Sequence, residues 1–250
     1  MWKTAEIQAL DADGFRALAD GHLPALRISA FATPDECTSL SDQLLSESLR
    51  TNSIPTVTRL GISQYQQGIR DSKDAYLDLA AELRPQFDKI FEASFDPTSR
   101  AIEHLRALGL DADIMAEPDG RQYWAGTAKL RTGETPVHVD FAAQDSPGWA
   151  VETAVAQLAW VLYLQVGEGG ELRLWDHCWE PHMDVHQSPG HYAYDPIVVE
   201  GADSLDLKPV VGDVVLLNSR YFHTVTHTGN RLAFGSFVSV FADGRARLWS

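Results

Sequence analysis

Near residue 120 the spacing of apolar residues changes from helical to extended, and this change limits the folds open to the chain. Before it, helices are expected. Thr33-Pro34-Asp35-Glu36 is a capping box with proline at the first helical position, predicting a helix to about Ser48. Ser72 can cap a longer helix in which Tyr76, Leu79, Ala80, Leu83, Phe87 and Ile90 recur on one face. Asp96-Pro97 starts a third, and Gly109 ends it. Beyond about Arg121 extended segments follow one another: 155–166, a Glu168-Gly169-Gly170 turn, 171–175, 214–217, 224–226 and 232–241. Many short strands without alternating helices argue for an antiparallel sandwich or open barrel. The expected fold is mostly β with α, the helical layer packed outside. No boundary linker separates the halves, so one domain is expected over 1–250. Residues 1–119 would give helical support and a lid, and 120–250 the β core. The polar stretch 176–209, rich in His, Pro, Tyr and Gly, reads as a long insertion.

Composition narrows the function classes. The length of 250 residues and hydrophobic fraction of 44% suit a well-packed globular domain. No run of about 18 apolar residues occurs, so no membrane span is expected. The net charge of −15 repels polyanions, and no basic stripe offsets it, which argues against a nucleic-acid partner. The N-terminus lacks the basic start and apolar stretch of a signal peptide, and Cys37 and Cys178 are the only cysteines. A cytoplasmic location is the expectation.

The chemistry concentrates in His138-Val139-Asp140, followed at a distance by His223 and Arg231. At the end of a strand, an i, i+2 pair points to one side, so an imidazole and a carboxylate can reach one metal. The third ligand must come from a distant strand. His223, opening an apolar strand, is one candidate, and His227 competes. Two histidines and one carboxylate hold ferrous iron on one face and leave the other open for a cosubstrate and dioxygen. A guanidinium at Arg231, buried in a barrel, would need a carboxylate to fork onto.

The surrounding motifs resemble those of the iron(II)- and 2-oxoglutarate-dependent oxygenases over roughly residues 120–241. The resemblance rests on His138-x-Asp140, Gly169-Gly170-Glu171-Leu172-x-Leu174-Trp175-Asp176, Gly212-Asp213-Val214-Val215-Leu216-Leu217, and His223-x-Val225 with Gly229-x-Arg231. It implies a double-stranded β-helix (jelly-roll, cupin-like) barrel closed around Fe(II). It also implies 2-oxoglutarate and dioxygen as cosubstrates, with His223 as the distal ligand and Arg231 binding 2-oxoglutarate. Many relatives carry a hydroxyl two residues after this arginine. Here that position is Ala233, so that either another hydroxyl such as Thr127 or Ser236 substitutes or the contact is absent. Relatives that halogenate carbon replace the aspartate with glycine or alanine to admit chloride. The intact Asp140 therefore implies hydroxylation, or another outcome of hydrogen abstraction such as desaturation or cyclisation, over halogenation. Residues 148–150 and 157–164 look like those of small free-standing oxygenases and halogenases of natural-product biosynthesis. That tilts the substrate towards a free amino acid or related small molecule. Two alternatives stay open. One is a cupin-like metal enzyme that does not use 2-oxoglutarate, and the other is a non-enzymatic binding barrel.

Substrate residues are less marked. Arg59 and Arg70 flank a Gly- and Gln-containing stretch, and either could clamp a substrate carboxylate, with Arg70 the first choice. Phe141, directly after the metal aspartate, could line the pocket. His177, His182, His186 and His191 crowd the insertion, but with poor helix signals around them a solvated loop is expected rather than a second metal site.

Overall fold

The computed structural model describes residues 1–46, 50–54, 57–63, 72–189 and 192–250. Its first half holds β1 (Gln8–Ala9), α1 (Ala12–Ala19), β2 (Ala25–Ile28), α2 (Pro34–Ser46), β3 (Arg50–Ile54) and β4 (Val57–Leu60). Next come α3 (Lys73–Glu92), α4 (Pro97–Ala107) and β5 (Asp111–Ile114). The second half contributes β6 (Thr127–Arg131), β7 (Ala156–Val166), β8 (Leu172–Cys178) and β9 (Ser204–Leu207). It ends with β10 (Val214–Asn218), β11 (Tyr221–Val225), β12 (Arg231–Val240) and β13 (Arg245–Trp249).

The helices begin where their caps place them. Ser72 accepts from the Ala75 amide, Asp96 from Thr98 and Ser99, and Thr33 and Glu36 exchange reciprocal bonds. The first half is not purely helical, however. β2, β3 and β4 join the large sheet, whose order is β1-β2-β10-β7-β12-β6-β4-β3, with β13 and β5 continuing from β12. These strands are four or five residues long, too short for alternation to mark them against the helical pattern around them. The small sheet is β11-β8-β9. β9 lies inside the stretch expected to be an insertion, which is thus partly built into the barrel.

Strand parity divides the interior in two. On β7, Leu158, Trp160, Leu162 and Leu164 face the helices, while Ala159, Val161 and Tyr163 face the small sheet. On β10, Val214 and Leu216 face out, and Val215 and Leu217 face in. Both faces of the large sheet are covered, which is why 155–166 reads as a continuous apolar run rather than an alternating one. The inner cluster joins Tyr163, Val215, Leu217 and Ala233 to Leu172, Leu174, Leu207 and Val225 of the small sheet. This is the double-stranded β-helix. Its Gly169-Gly170 turn admits no side chain, because a Cβ on Gly169 would lie 2.2 Å from the His227 carbonyl oxygen at a φ of +73°.

Candidate metal centre and cosubstrate pocket

Residues 135–140 run antiparallel along β11. The His138 and His223 backbones exchange a pair of hydrogen bonds, each 3.0 Å, and the Asp140 amide donates to the Ser219 carbonyl at 2.8 Å. The Ser219 hydroxyl donates back to the Asp140 carbonyl, also at 2.8 Å. This pairing brings together side chains 85 positions apart. Candidate ligand atoms of His138, Asp140 and His223 all lie within 4.8 Å of one another. Asp140 Oδ2 is 3.9 Å from His138 Nε2 and 3.7 Å from His223 Nε2.

Both rings are held the same way. His138 Nδ1 lies 2.8 Å from the Pro136 carbonyl oxygen, and His223 Nδ1 lies 2.9 Å from that of Tyr221. A carbonyl can only accept, so each Nδ1 carries the proton and each Nε2 lone pair points at the shared centre. Burial pushes the His138 imidazole down to about 3, so it is neutral. Burial alone would raise the Asp140 carboxyl. The adjoining imidazoles and Lys129 outweigh that and hold it at about 2. Neutral imidazole and ionised carboxylate are the forms that bind a metal. His227 is exposed and outside this cluster.

The cavity behind the three residues is lined by inward positions of the large sheet, among them Thr127, Lys129, Arg131, Tyr163 and Arg231. Arg231 is 6% exposed, and its guanidinium carbon sits 4.9 Å from the Tyr163 ring centroid. Its Nε, the Tyr163 hydroxyl and the Thr228 hydroxyl are buried without hydrogen-bond partners among the described residues. A Cβ on Gly170 would crowd Thr228 and come within 3.5 Å of Arg231 Cδ, so the glycine keeps this corner open. A buried cation and orphaned hydroxyls with space before them fit a carboxylate end such as that of 2-oxoglutarate.

The other expected residues fall as follows. Thr127 lines the cavity, but its hydroxyl donates to the Ile62 carbonyl at 2.7 Å, and it lies opposite Gly235 rather than beside Arg231. Ser236 also borders the cavity. Phe141 does not. It packs toward Trp179, with the Arg220 guanidinium 5.2 Å from its ring, because its neighbour Asp140 takes the inward side. Arg70 and His191 lie outside the described residues, while Arg59 lies in β4 beside the cavity wall. His182 and His186 are exposed, His177 stacks on Phe222, and no second metal cluster occurs among the described residues. Sequence reading passed over Lys129, Arg131 and Tyr163. The first two alternate just ahead of Gly133 on the strand leading to His138, which was the available signal.

The chain matches the family model described as carrier-protein-independent halogenase WelO5 over residues 3–250. The leucinostatins biosynthesis cluster protein S of Purpureocillium lilacinum is 30% identical over 199 residues, covering 74% of this chain and 79% of that protein. L-isoleucine 3(1)-dioxygenase of Pantoea ananatis (strain AJ13355) is 26% identical over 132 residues, 50% of this chain and 43% of that one. Among solved structures, an N-substituted L-amino acid dioxygenase from Burkholderia ambifaria AMMD superposes with a TM-score of 0.65 at 18% identity. That alignment covers 96% of this chain and 91% of the other, a likeness of fold. With motifs, barrel and metal-ligating geometry in agreement and the family model spanning nearly every residue, the chain belongs to the WelO5 family of carrier-protein-independent halogenases and is an iron(II)- and 2-oxoglutarate-dependent oxygenase.

Proposed function

We propose that the protein hydroxylates an unactivated carbon of a small molecule derived from an amino acid, with His138, Asp140 and His223 holding iron(II) and Arg231 holding 2-oxoglutarate. The observation that carries this reading is the convergence of two Nε2 atoms and one carboxylate on a single point, beside a buried arginine whose Nε has no hydrogen-bond partner among the described residues. When bound, iron and 2-oxoglutarate supply the oxidising power for breaking a C–H bond with dioxygen. The chain's own residues position and shield. The Pro136 and Tyr221 carbonyls aim the imidazoles, and Arg231 with Tyr163 orients the distal carboxylate. The inner cluster around Leu172, Leu217 and Val225 keeps water from the reacting carbon.

The names of the relatives support a substrate of this class: one acts on L-isoleucine, one on N-substituted L-amino acids, and the latter is also known in complex with alpha-KG. The gene-cluster name of the fungal relative supports a place in natural-product biosynthesis. Both cysteines are free, which suits the reducing cytoplasm.

Halogenation is the second reading, favoured by the family's name. Against it stands Asp140, whose carboxylate occupies a position a halide would need. Mass spectrometry of products formed at high chloride decides between them. A gain of one oxygen is expected, and a dominant gain of chlorine overturns hydroxylation. Asp140→Gly is expected to lose hydroxylation without gaining efficient chlorination, because chloride also needs surrounding groups to hold it.

A further inference from the structure

The cavity carries more positive charge than iron and 2-oxoglutarate can use. β4, β6 and β12 lie side by side, and their register sets four cations on one stretch of inner wall. Arg59 stands opposite Lys129, Lys129 opposite Ala233, and Arg131 opposite Arg231. Residues directly opposite in adjacent strands share a face, as do Lys129 and Arg131 two apart in one strand. Lys129, Arg131 and Arg231 line the cavity. Arg59 adjoins them, and its Nε is buried without a hydrogen bond. Among the described residues, no acid lies within ion-pair distance of any of the four, although nine other arginine or lysine side chains find one. Among the described residues the only acid lining the cavity is Asp140, which is committed to the metal.

Charge accounting follows from that inventory. The two positive charges of iron are met by Asp140 and the metal-side carboxylate of 2-oxoglutarate, and Arg231 meets the distal carboxylate. Arg59 and Arg131 are then left beside Lys129, whose ammonium is pushed down to about 7 by burial and by the neighbouring arginines. Like charges gathered out of water are costly unless an anion sits among them. The substrate is the remaining component that can supply it. A free α-amino acid does so poorly, because its ammonium lies two bonds from its carboxylate and would enter the same cationic field. Apart from Asp140, no acid among the described residues lines the cavity to receive it.

We propose that the substrate is a net anion whose carboxylate is seated against Arg59, Lys129 and Arg131, and whose adjoining nitrogen, where present, is uncharged, as in an N-acyl amino acid. This rests on the oxygenase reading above. It moves substrate capture from Arg70 to the barrel wall.

The test pairs anaerobic Fe(II)·2-oxoglutarate enzyme with matched probes: N-acetyl-L-leucine (anion), L-leucine (zwitterion) and L-leucinamide (cation), plus the same three forms of phenylalanine and valine. Binding is read from perturbation of the visible band of the iron·2-oxoglutarate complex. Within at least one side-chain series the N-acetyl acid is expected to bind at least ~10-fold more tightly than the zwitterion, and the amide more weakly still. Arg59→Gln and Arg131→Gln should each cut that preference to within about 3-fold, and Arg59→Gln should leave 2-oxoglutarate affinity nearly unchanged. A second readout needs no substrate. Removing one unpaired cation relieves the others, so each variant should melt above the wild type when ligand-free. An amide or zwitterion binding as well as the N-acetyl acid, failure of every acid in the panel to bind, or variants that melt lower would overturn the proposal. If the wild type forms no iron·2-oxoglutarate band, the oxygenase reading fails instead. The melting comparison, with the N-acetyl acids added to ligand-free protein, still scores the wall.

Discussion

Two carbonyls decide what the metal centre can be. By accepting the Nδ1 protons, Pro136 and Tyr221 fix one tautomer at His138 and at His223, and the free nitrogens meet Asp140. His227 is exposed outside this arrangement. His138→Ala, Asp140→Ala and His223→Ala should therefore each purify with most of their iron missing, whereas His227→Ala should retain it. Metal analysis of the four variants checks this, and an empty His227 variant beside a full His223 variant would reverse the assignment. Arg231→Ala should weaken 2-oxoglutarate binding by roughly 2–3 kcal/mol, the scale of a charged hydrogen-bonded pair. Titration of the visible band under anaerobic conditions measures it, and an unchanged affinity would remove Arg231 from the site. At this scale much was legible in sequence. His138-x-Asp140 and Arg231 are tied to motifs, and a motif is local. Lys129, Arg131 and Tyr163 were not, because they matter through register with β4 and β12, and register is invisible until strands are paired.

Helix starts, long strands and the Gly-Gly turn were the elements legible beforehand, since each carries its own short-range chemistry. The expectation at 224–226 began three residues late. β11 starts at Tyr221 and holds His223 within it, masked by the polar Asn218-Ser219-Arg220 ahead. The short strands of the first half were hidden for the opposite reason, having too few residues to show a period. The contact between α2 and α4 shows what holds the helical layer together. Arg100 forks onto Glu36 with bonds of 2.6 and 3.0 Å and donates to the Phe31 carbonyl at 2.9 Å. That fork, with help from the Thr33 amide, holds the Glu36 carboxyl at about 2 against an ordinary 4.5. A folded value below the unfolded one means the pair contributes fully above about pH 4.5, and its contribution is lost as pH falls from there to about 2. Because the partners are 29% and 30% exposed, about 1–2 kcal/mol is expected at neutral pH rather than the full equivalent of the shift. Glu36→Gln should lower stability at pH 7 by that amount and flatten its decline between pH 4.5 and 2. Urea unfolding across the pH range measures both, and parallel acid branches in variant and wild type would show that the pair contributes nothing.

The whole molecule sets an acidic exterior against a cationic interior. Its net charge is −15, even with the four basic side chains of the inner wall counted, so the outer surface is more negative still. The two fields act at different ranges. Surface charges repel an approaching anion over distances that salt shortens, the screening length falling from ~30 Å at 0.01 M to ~10 Å at 0.1 M. The inner cations act at contact, away from bulk ions, and are screened far less. An anionic substrate is thus held back outside and gripped inside, and salt relieves the first without removing the second. For a substrate of net negative charge, kcat/KM should rise by about 2–3-fold between 0.01 and 0.1 M of an inert salt, with kcat nearly constant because the bound complex is shielded. A cationic analogue should show the reverse slope. Steady-state rates at fixed iron and saturating 2-oxoglutarate test this. A kcat/KM that falls with salt for the anion would mean that the cationic wall, and not the acidic surface, governs approach, and that the entrance is positive despite the charge of the chain as a whole.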